Sequence, residues 1–364
     1  MLLKVKRGEF KVKILKRILA FLECIAIIFV LASECSTQKV NAQPSRLRQK
    51  PVSVDVVLYN FDDEYISLVK QGLEEIQKQN EGKVVFEFFD GKGNQAIQNE
   101  VIDEIIRKGR SDVLLINLVN TQDTQQVIDR VKNKNIPVIF FNREPVAIEP
   151  IKDYKKSYYV GRDSKDAGRL QGEILVDLWN NDKNFIDKNN DGILQYIMLQ
   201  AERTSIEAQE RTEYSILTIN ESGIKTNQLA LSISNWRRDL AKDAISNLFL
   251  KYGTQIEAII ANNDEMAIGA VEALQGYGYN KGDKSKTIPI VGVDATLEAQ
   301  EFVKKGYMAG TVIQDPYEMA KAAYTIGMNI FQGNDPLYGT QYKPDETGVA
   351  IRLPYTKYIS SNNS

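Results

Sequence analysis

Short β-rich apolar runs alternate with stretches of helical apolar spacing from residue 54 almost to the end of the chain. Residues 54–59 predict a strand, and residues 65–79 repeat apolar positions at the three- and four-residue spacing of one helix face. Residues 84–89, 113–117 and 137–141 predict the next strands, with helices predicted over 97–108 and 124–132. The cycle starts again after Tyr158-Tyr159-Val160-Gly161, with strands predicted at 195–199, 230–233, 257–261, 289–293 and 309–312. Strand and helix in alternation make a parallel sheet covered by helices. The nearly continuous aliphatic character of these strands fits burial on both faces. Two cycles predict two similar doubly wound parallel-sheet α/β lobes.

Parallel α/β sheets hold their ligands beyond the carboxyl ends of the strands. Here those ends are polar. Tyr59 leads into Asn60-Phe61-Asp62-Asp63, Phe141 into Asn142-Arg143-Glu144, Ala261 into Asn262-Asn263-Asp264, and Val293 into Asp294. Amides and carboxylates can pair with hydroxyl groups. Any one of them also reads as a helix N-cap or an Asx turn. Their recurrence at equivalent positions in both halves predicts one shared polar ligand.

A second motif leads into the strand predicted at 195–199. In Asp187-Lys188-Asn189-Asn190-Asp191-Gly192-Ile193-Leu194-Gln195, oxygen-bearing side chains occupy positions one, three, five and nine. Glycine stands at position six, and Ile193 at position seven offers its carbonyl. This is the ligand order of a calcium loop of the EF-hand type. Position twelve is Met198 rather than a bidentate glutamate, and Tyr196-Ile197-Met198-Leu199 reads as a buried strand. The loop therefore predicts a calcium site that takes its last carboxylate from elsewhere. The alternative is a polar turn that binds nothing.

Composition narrows the chemistry. The chain has 364 residues, enough for two domains, and no histidine, which excludes a Ser-His-Asp triad, zincin motifs and histidine proton relays. Its two cysteines, Cys24 and Cys35, both lie near the amino terminus, so the body has no disulfide, thiolate metal site or catalytic cysteine. Of 46 Lys/Arg and 48 Asp/Glu, the first 53 residues carry 11 and 3, so the body is net acidic. An acidic body argues against nucleic-acid binding.

That basic beginning has the outline of an export signal. Lys4 to Arg17 is rich in Lys and Arg, and residues 18–32 are mostly apolar but short for a membrane span. Leu31-Ala32-Ser33-Glu34-Cys35 resembles a bacterial lipobox, which would leave a lipid on Cys35, although Glu34 replaces the usual small residue. Val40-Asn41-Ala42 suits ordinary signal cleavage instead, and an uncleaved anchor is the third reading. All three place the body outside the cytoplasm. Residues 36–53 read as a polar tether.

Taken together, Tyr59-Asn60-Phe61-Asp62-Asp63, the run from Val138 to Pro145, Tyr158 to Ser164, the calcium loop, Ile260 to Asp264 and Val291-Gly292-Val293-Asp294-Ala295 resemble the periplasmic galactose/glucose-binding proteins. The resemblance covers nearly everything from Val54 on, and the calcium loop separates this branch from ribose and arabinose binders. It implies the type I periplasmic binding protein fold, two lobes joined by a three-strand hinge and closing on a sugar. The implied division is 1–34 signal or lipoprotein segment and 35–53 tether, with 54–161 plus 315–340 as one lobe and 162–314 plus 341–360 as the other.

Matched residue by residue, the resemblance implies that Asp63 and Asn142 hold sugar hydroxyls from the first lobe, and Arg211, Asn263 and Asp294 from the second. Tyr65 and Trp236 would face the two sides of the ring. Apolar C–H faces and a polar rim suit aromatic plates with planar polar groups. Glu257 would complete the calcium shell of Asp187, Asn189, Asp191, Ile193 and Gln195. Three candidate ligand positions depart from the family pattern. Ser205 replaces a histidine, Glu207 an aspartate and Gln314 an asparagine, which leaves the identity of the hexose open.

The function implied is a non-enzymatic, monomeric carrier that passes a hexose to an ABC-transporter permease, with a chemoreceptor as a further partner. Paired carboxylates alone could serve a glycosidase, but a site enclosing a monosaccharide offers no cleavage geometry. A repressor of this fold would need an amino-terminal helix-turn-helix, where this chain has an apolar export segment. A sensory sugar-binding ectodomain, or a binder of a pentose or hexose derivative, is the alternative.

Overall fold

The computed structural model describes residues 50–360. The expected export segment, Cys35 and most of the tether fall outside them. Strand β1 (Val52–Leu58) is followed by β2 (Val84–Asp90), β3 (Val113–Ile116), β4 (Val138–Phe141) and β5 (Ser157–Gly161). A late strand, β11 (Ala350–Arg352), completes a six-stranded parallel sheet in the order β11-β5-β4-β3-β1-β2. The second sheet takes β6 (Ile193–Gln200), β7 (Lys225–Ile233), β8 (Ala258–Ala261), β9 (Ile290–Asp294), β10 (Gly310–Ile313) and β12 (Thr356–Ile359). Its order is β12-β10-β9-β8-β6-β7, with only β12 antiparallel.

The interior strands β3, β4, β8 and β9 are buried along their whole length. That explains why they read as unbroken aliphatic runs, since helices cover both faces. Strand β7, at an edge, has no buried residue.

The expected division needs two corrections. Strand β1 already begins at Val52, within the segment expected to be tether. Residues 341–352 belong to the first lobe rather than the second, because β11 pairs with β5 and Tyr342 donates to Glu318 of the helix Pro316–Phe331. That helix packs on β3, β4 and β5. Strands of three and four residues are too short to show a period of two, so β11 and β12 left no pattern to read.

The chain thus crosses between the sheets three times, after β5, after β10 and after β11. Arg162, at the first crossing, donates from Nη1 to the Pro354 carbonyl in the third and from Nη2 to the Asp315 carbonyl in the second, at 3.0 Å. Its guanidinium also lies 5.2 Å from the centre of the Tyr355 ring. One buried cation therefore ties all three crossings together. Beside it, Arg352 grips Glu144 through both terminal nitrogens, at 2.7 and 2.5 Å, and donates from Nε to Asp345.

Within the second lobe the helix Ser164–Asn181 lies unusually close to the helix Ile206–Glu221. A Cβ on Gly168 would come within 2.9 Å of the Arg211 carbonyl, and one on Gly172 within 2.6 Å of the Ser215 carbonyl. These two glycines set the depth of a helix whose first turns carry Glu207 and Arg211. Gly172→Val should therefore lower stability by about 1–3 kcal/mol, the usual cost of overpacking. An unchanged midpoint in denaturant titration would show that the two helices have room to part.

Candidate functional site: a polar cleft between the lobes

The carboxyl ends of both sheets face one cavity. From the first lobe it is lined by Asp63, Tyr65 and Asn142, and from the second by Glu207, Arg211, Trp236, Asn263, Asp294 and Gln314. Two further lining residues, Tyr59 and Arg143, had no role assigned from sequence. Both stand inside the motifs that supplied Asp63 and Asn142, and that adjacency was the available signal. Ser205 is the one expected cleft residue that does not line it.

On the first wall, Asp63 caps the helix Glu64–Gln79 by accepting from the Ile66 N–H at 2.8 Å through Oδ1. Its Oδ2 accepts from the Tyr59 hydroxyl at 2.5 Å. Burial pushes the Asp63 carboxyl above the usual range, while these hydrogen bonds pull it down. Burial and the Asp63 charge push the Tyr59 phenol well up. Arg143 stacks over the Tyr59 ring, 4.7 Å from its centre. Asn142 follows β4 with a left-handed φ of 62°, and its Oδ1 accepts from Asn117 Nδ2.

On the second wall, Arg211 donates to the Asn262 carbonyl at 2.7 Å, to Gln314 Oε1 at 3.1 Å and to the Tyr355 hydroxyl at 3.2 Å. Burial opposes the charge on Arg211, but Tyr355 and Asp294 outweigh it and raise its pKa. Its guanidinium lies 5.6 Å from the centre of the Trp236 ring. Asn263 caps the helix Asp264–Gly276 through Oδ1 and donates from Nδ2 to the Trp236 carbonyl at 3.2 Å. Asp294, at the end of β9, is buried; burial first and the Asp264 charge second push its carboxyl well above the usual range.

The two walls touch. Arg143 forms a two-pronged ion pair with Glu202 of the second lobe, at 2.9 and 3.3 Å. Burial works against the Arg143 charge, and Glu202 overrides it. Glu207 accepts the Glu144 main-chain N–H at 2.5 Å through Oε1 and the Ser205 hydroxyl at 2.6 Å through Oε2. Ser205 also caps the helix Ile206–Glu221 by accepting from the Ala208 N–H. It lies behind Glu207 because a short hydroxyl at an N-cap turns back to its own helix.

Several polar atoms in this cleft are buried without a hydrogen-bond partner: the Tyr65 hydroxyl, with Gln314 beside it, Trp236 Nε1, and the Nε atoms of Arg143 and Arg211. Buried polar groups are normally satisfied. Donors left over in a cleft of carboxylates and amides mark a place for a polar ligand. The cleft offers hydrogen bonding and two aromatic faces, and among its lining residues no nucleophile–base pair.

The loop expected to bind calcium runs from the short helix Lys183–Ile186 into β6, so a strand does follow it. Asp187 is fully buried, accepts from the N–H groups of Asp191 and Gly192 at 3.1 Å each, and lies 3.4 Å from Lys183 Nζ. Asp191 Oδ2 accepts from Gln195 Nε2 at 2.7 Å and Asn189 Nδ2 at 3.0 Å. Glu257, also fully buried, spans the loop from outside it, accepting from the Lys188 N–H at 2.8 Å and the Gln195 N–H at 3.1 Å. Burial pushes its carboxyl up, and these N–H groups pull it down. Among the described residues no three Asp, Glu, Cys or His side chains are gathered tightly enough to hold a metal by themselves. An ion here would depend on the Asn189 and Gln195 amides turning their oxygens inward and on the Ile193 carbonyl. That all-oxygen donor set suits calcium by its chemistry.

The family model of the periplasmic binding protein domain matches residues 54–335. The chain belongs to the periplasmic binding protein family. The D-galactose/methyl-galactoside binding periplasmic protein of Haemophilus influenzae is 36% identical to this binding protein over 85% of this chain and 90% of its own. A putative rhizopine-binding protein of Rhizobium meliloti is 28% identical, over 75% and 82%. Among solved structures, an ABC-transporter solute-binding protein of Actinobacillus succinogenes with bound D-allose superposes with a TM-score of 0.71 at 19% identity, covering 86% of this chain and 99% of that one. GanP, a glucose-galactose binding protein of Geobacillus stearothermophilus, gives 0.65 at 20%, over 85% and 98%. Both show the type I fold. Relatives and fold are those of substrate-binding proteins, not enzymes. Among the described residues no helix is long and apolar enough to cross a membrane.

The charge on Asp294 makes a thermal test of this binding protein. Its folded pKa lies above the unfolded one, so the stability it contributes is complete below about pH 4 and is lost as pH rises through the folded value. Asp294→Asn should therefore stabilise the ligand-free protein, by an amount that grows from pH 4 towards neutrality. Scanning fluorimetry across that range checks this; a difference that is flat or falls with pH contradicts it.

Proposed function

We propose that this protein captures a monosaccharide, a hexose of the galactose/glucose type, outside the cytoplasm and delivers it to an ABC-transporter permease. One observation carries the reading. Carboxylates and amides from both lobes ring a cleft that also holds Tyr65, Trp236 and four buried, unpartnered donors. A pyranose supplies hydroxyls for the rim and C–H faces for the rings. The galactoside-binding relative supports the hexose. A second reading, a related monosaccharide, is favoured by Glu207, whose two oxygens are already engaged by Glu144 and Ser205.

Calorimetry of the purified protein against a panel of hexoses and pentoses tests the proposal, and the absence of binding to any of them rejects it. Against the best ligand, Asp63→Ala should weaken binding by about 1.5–3 kcal/mol, the range for a charge-assisted hydrogen bond. In a Trp179→Phe background, the remaining Trp236 fluorescence should respond to that sugar.

We also propose that calcium occupies the loop at Asp187–Gln195 with Glu257, pinning the second lobe by binding only its folded form. The all-oxygen donors and the buried carboxylates of Asp187 and Glu257 support this. Chelator should lower the melting temperature, and Asp187→Ala should remove that sensitivity. A wild-type protein indifferent to chelator would leave the loop as a polar turn.

A further inference from the structure

Behind the cleft, and not on its lining, stands a fully buried carboxylate, Asp264. It opens the helix Asp264–Gly276, yet the cap of that helix is Asn263. The Asp264 oxygens turn instead towards the far side. Oδ1 accepts from the Thr311 hydroxyl at 2.6 Å, and Oδ2 accepts from the Thr296 N–H at 2.8 Å. Thr311 in turn accepts from the Ala295 N–H at 3.3 Å through the same oxygen. The backbone these contacts hold is strained: φ is 121° at Asp294 and 54° at Ala295, where side chains other than glycine are uncommon. Gly292 makes room, since a Cβ there would come within 2.3 Å of Asp264 Oδ1.

We propose that Asp264 is a positioning residue that clamps the Asp294–Ala295 turn from behind, so that Asp294 enters the cleft at the height its ligand requires. A buried carboxylate is a costly acceptor. Burial raises the Asp264 pKa to about 7 against the Thr311 and Thr296 hydrogen bonds that pull it down, and in the ionised form it is a strong acceptor, because hydrogen bonds to an ionised acceptor exceed neutral ones. That strength acts on the strained turn directly at the Thr296 N–H and, through the Thr311 hydroxyl, at the Ala295 N–H. The inference rests on the cleft being the ligand site, but the clamp itself does not need a ligand to be observed.

The test compares the full-length protein with Asp264→Asn by hydrogen exchange without ligand, and by titration with the sugar found to bind best. The clamp predicts that the Ala295 and Thr296 amides exchange at least about tenfold faster while amides of β6 keep their protection. It also predicts that sugar affinity falls by about tenfold to a hundredfold, the range for a charged hydrogen bond. Should Asp264→Asn fail to fold, Thr311→Val takes its place, with Thr311→Ser expected to restore both readouts. Unchanged exchange at Ala295 and Thr296 overturns the proposal, as does a uniform loss of protection across the second lobe, which would mean a structural role only. If no sugar binds the wild type, the proposed function fails and the exchange comparison still decides the clamp.

Discussion

Carboxylates of Asp63, Glu207, Asp264 and Asp294 are withdrawn from water around one cleft, and both of its walls are arranged to offset their charge. Main-chain, Tyr59, Ser205 and Thr311 donors hydrogen-bond three of them, and two arginines add their charge, Arg143 on the first lobe near Asp63 and Arg211 on the second near Asp294. Each is held by carbonyl or carboxylate oxygens on one side and stacked on an aromatic ring on the other, Tyr59 and Trp236 respectively. A planar guanidinium can do both at once, which a lysine cannot. In the second lobe Ser205 and Asn263 cap the helices Ile206–Glu221 and Asp264–Gly276, whose first turns carry Glu207 and Asp264.

The same groups couple the site to the hinge. Glu144 follows Arg143 by one residue; its side chain is gripped by Arg352 at the end of β11, while its N–H is given to Glu207 across the cleft. Arg162 ties the three crossings together a short distance away. Approach of the lobes therefore changes contacts at the ligand cavity and at the crossings together. Glu207 reaches the opposite lobe, and Ser205 is short enough to support it from behind.

The sheets were legible from the chain because parallel strands buried on both faces must be continuously aliphatic and must alternate with helices. The helix over Thr124–Lys132 was read at its observed limits, and the polar residues after β1, β4, β8 and β9 do face a common cavity. Strands β11 and β12 were missed, since three or four residues carry no periodicity, and with them the place of the third crossing. Tyr59 and Arg143 were missed because their importance lies in contacts with Asp63 and with Glu202, 59 positions away from Arg143. The resemblance alone implied Ser205 as a cleft residue; an N-cap directs its hydroxyl elsewhere.

By itself the sequence determined the class of fold, the absence of histidine and cysteine chemistry in the body, and the supply of planar polar groups at strand ends. Those follow from local pattern and composition, which each segment carries without reference to the others. Only the tertiary structure decided which carboxylates line the cleft and which turn into their own protein. Asp264 and Asp294 look alike as letters, and one lies behind the wall while the other forms it. That distinction depends on strand register, on a left-handed turn and on the closeness of a glycine, none of which is encoded within a single stretch of chain.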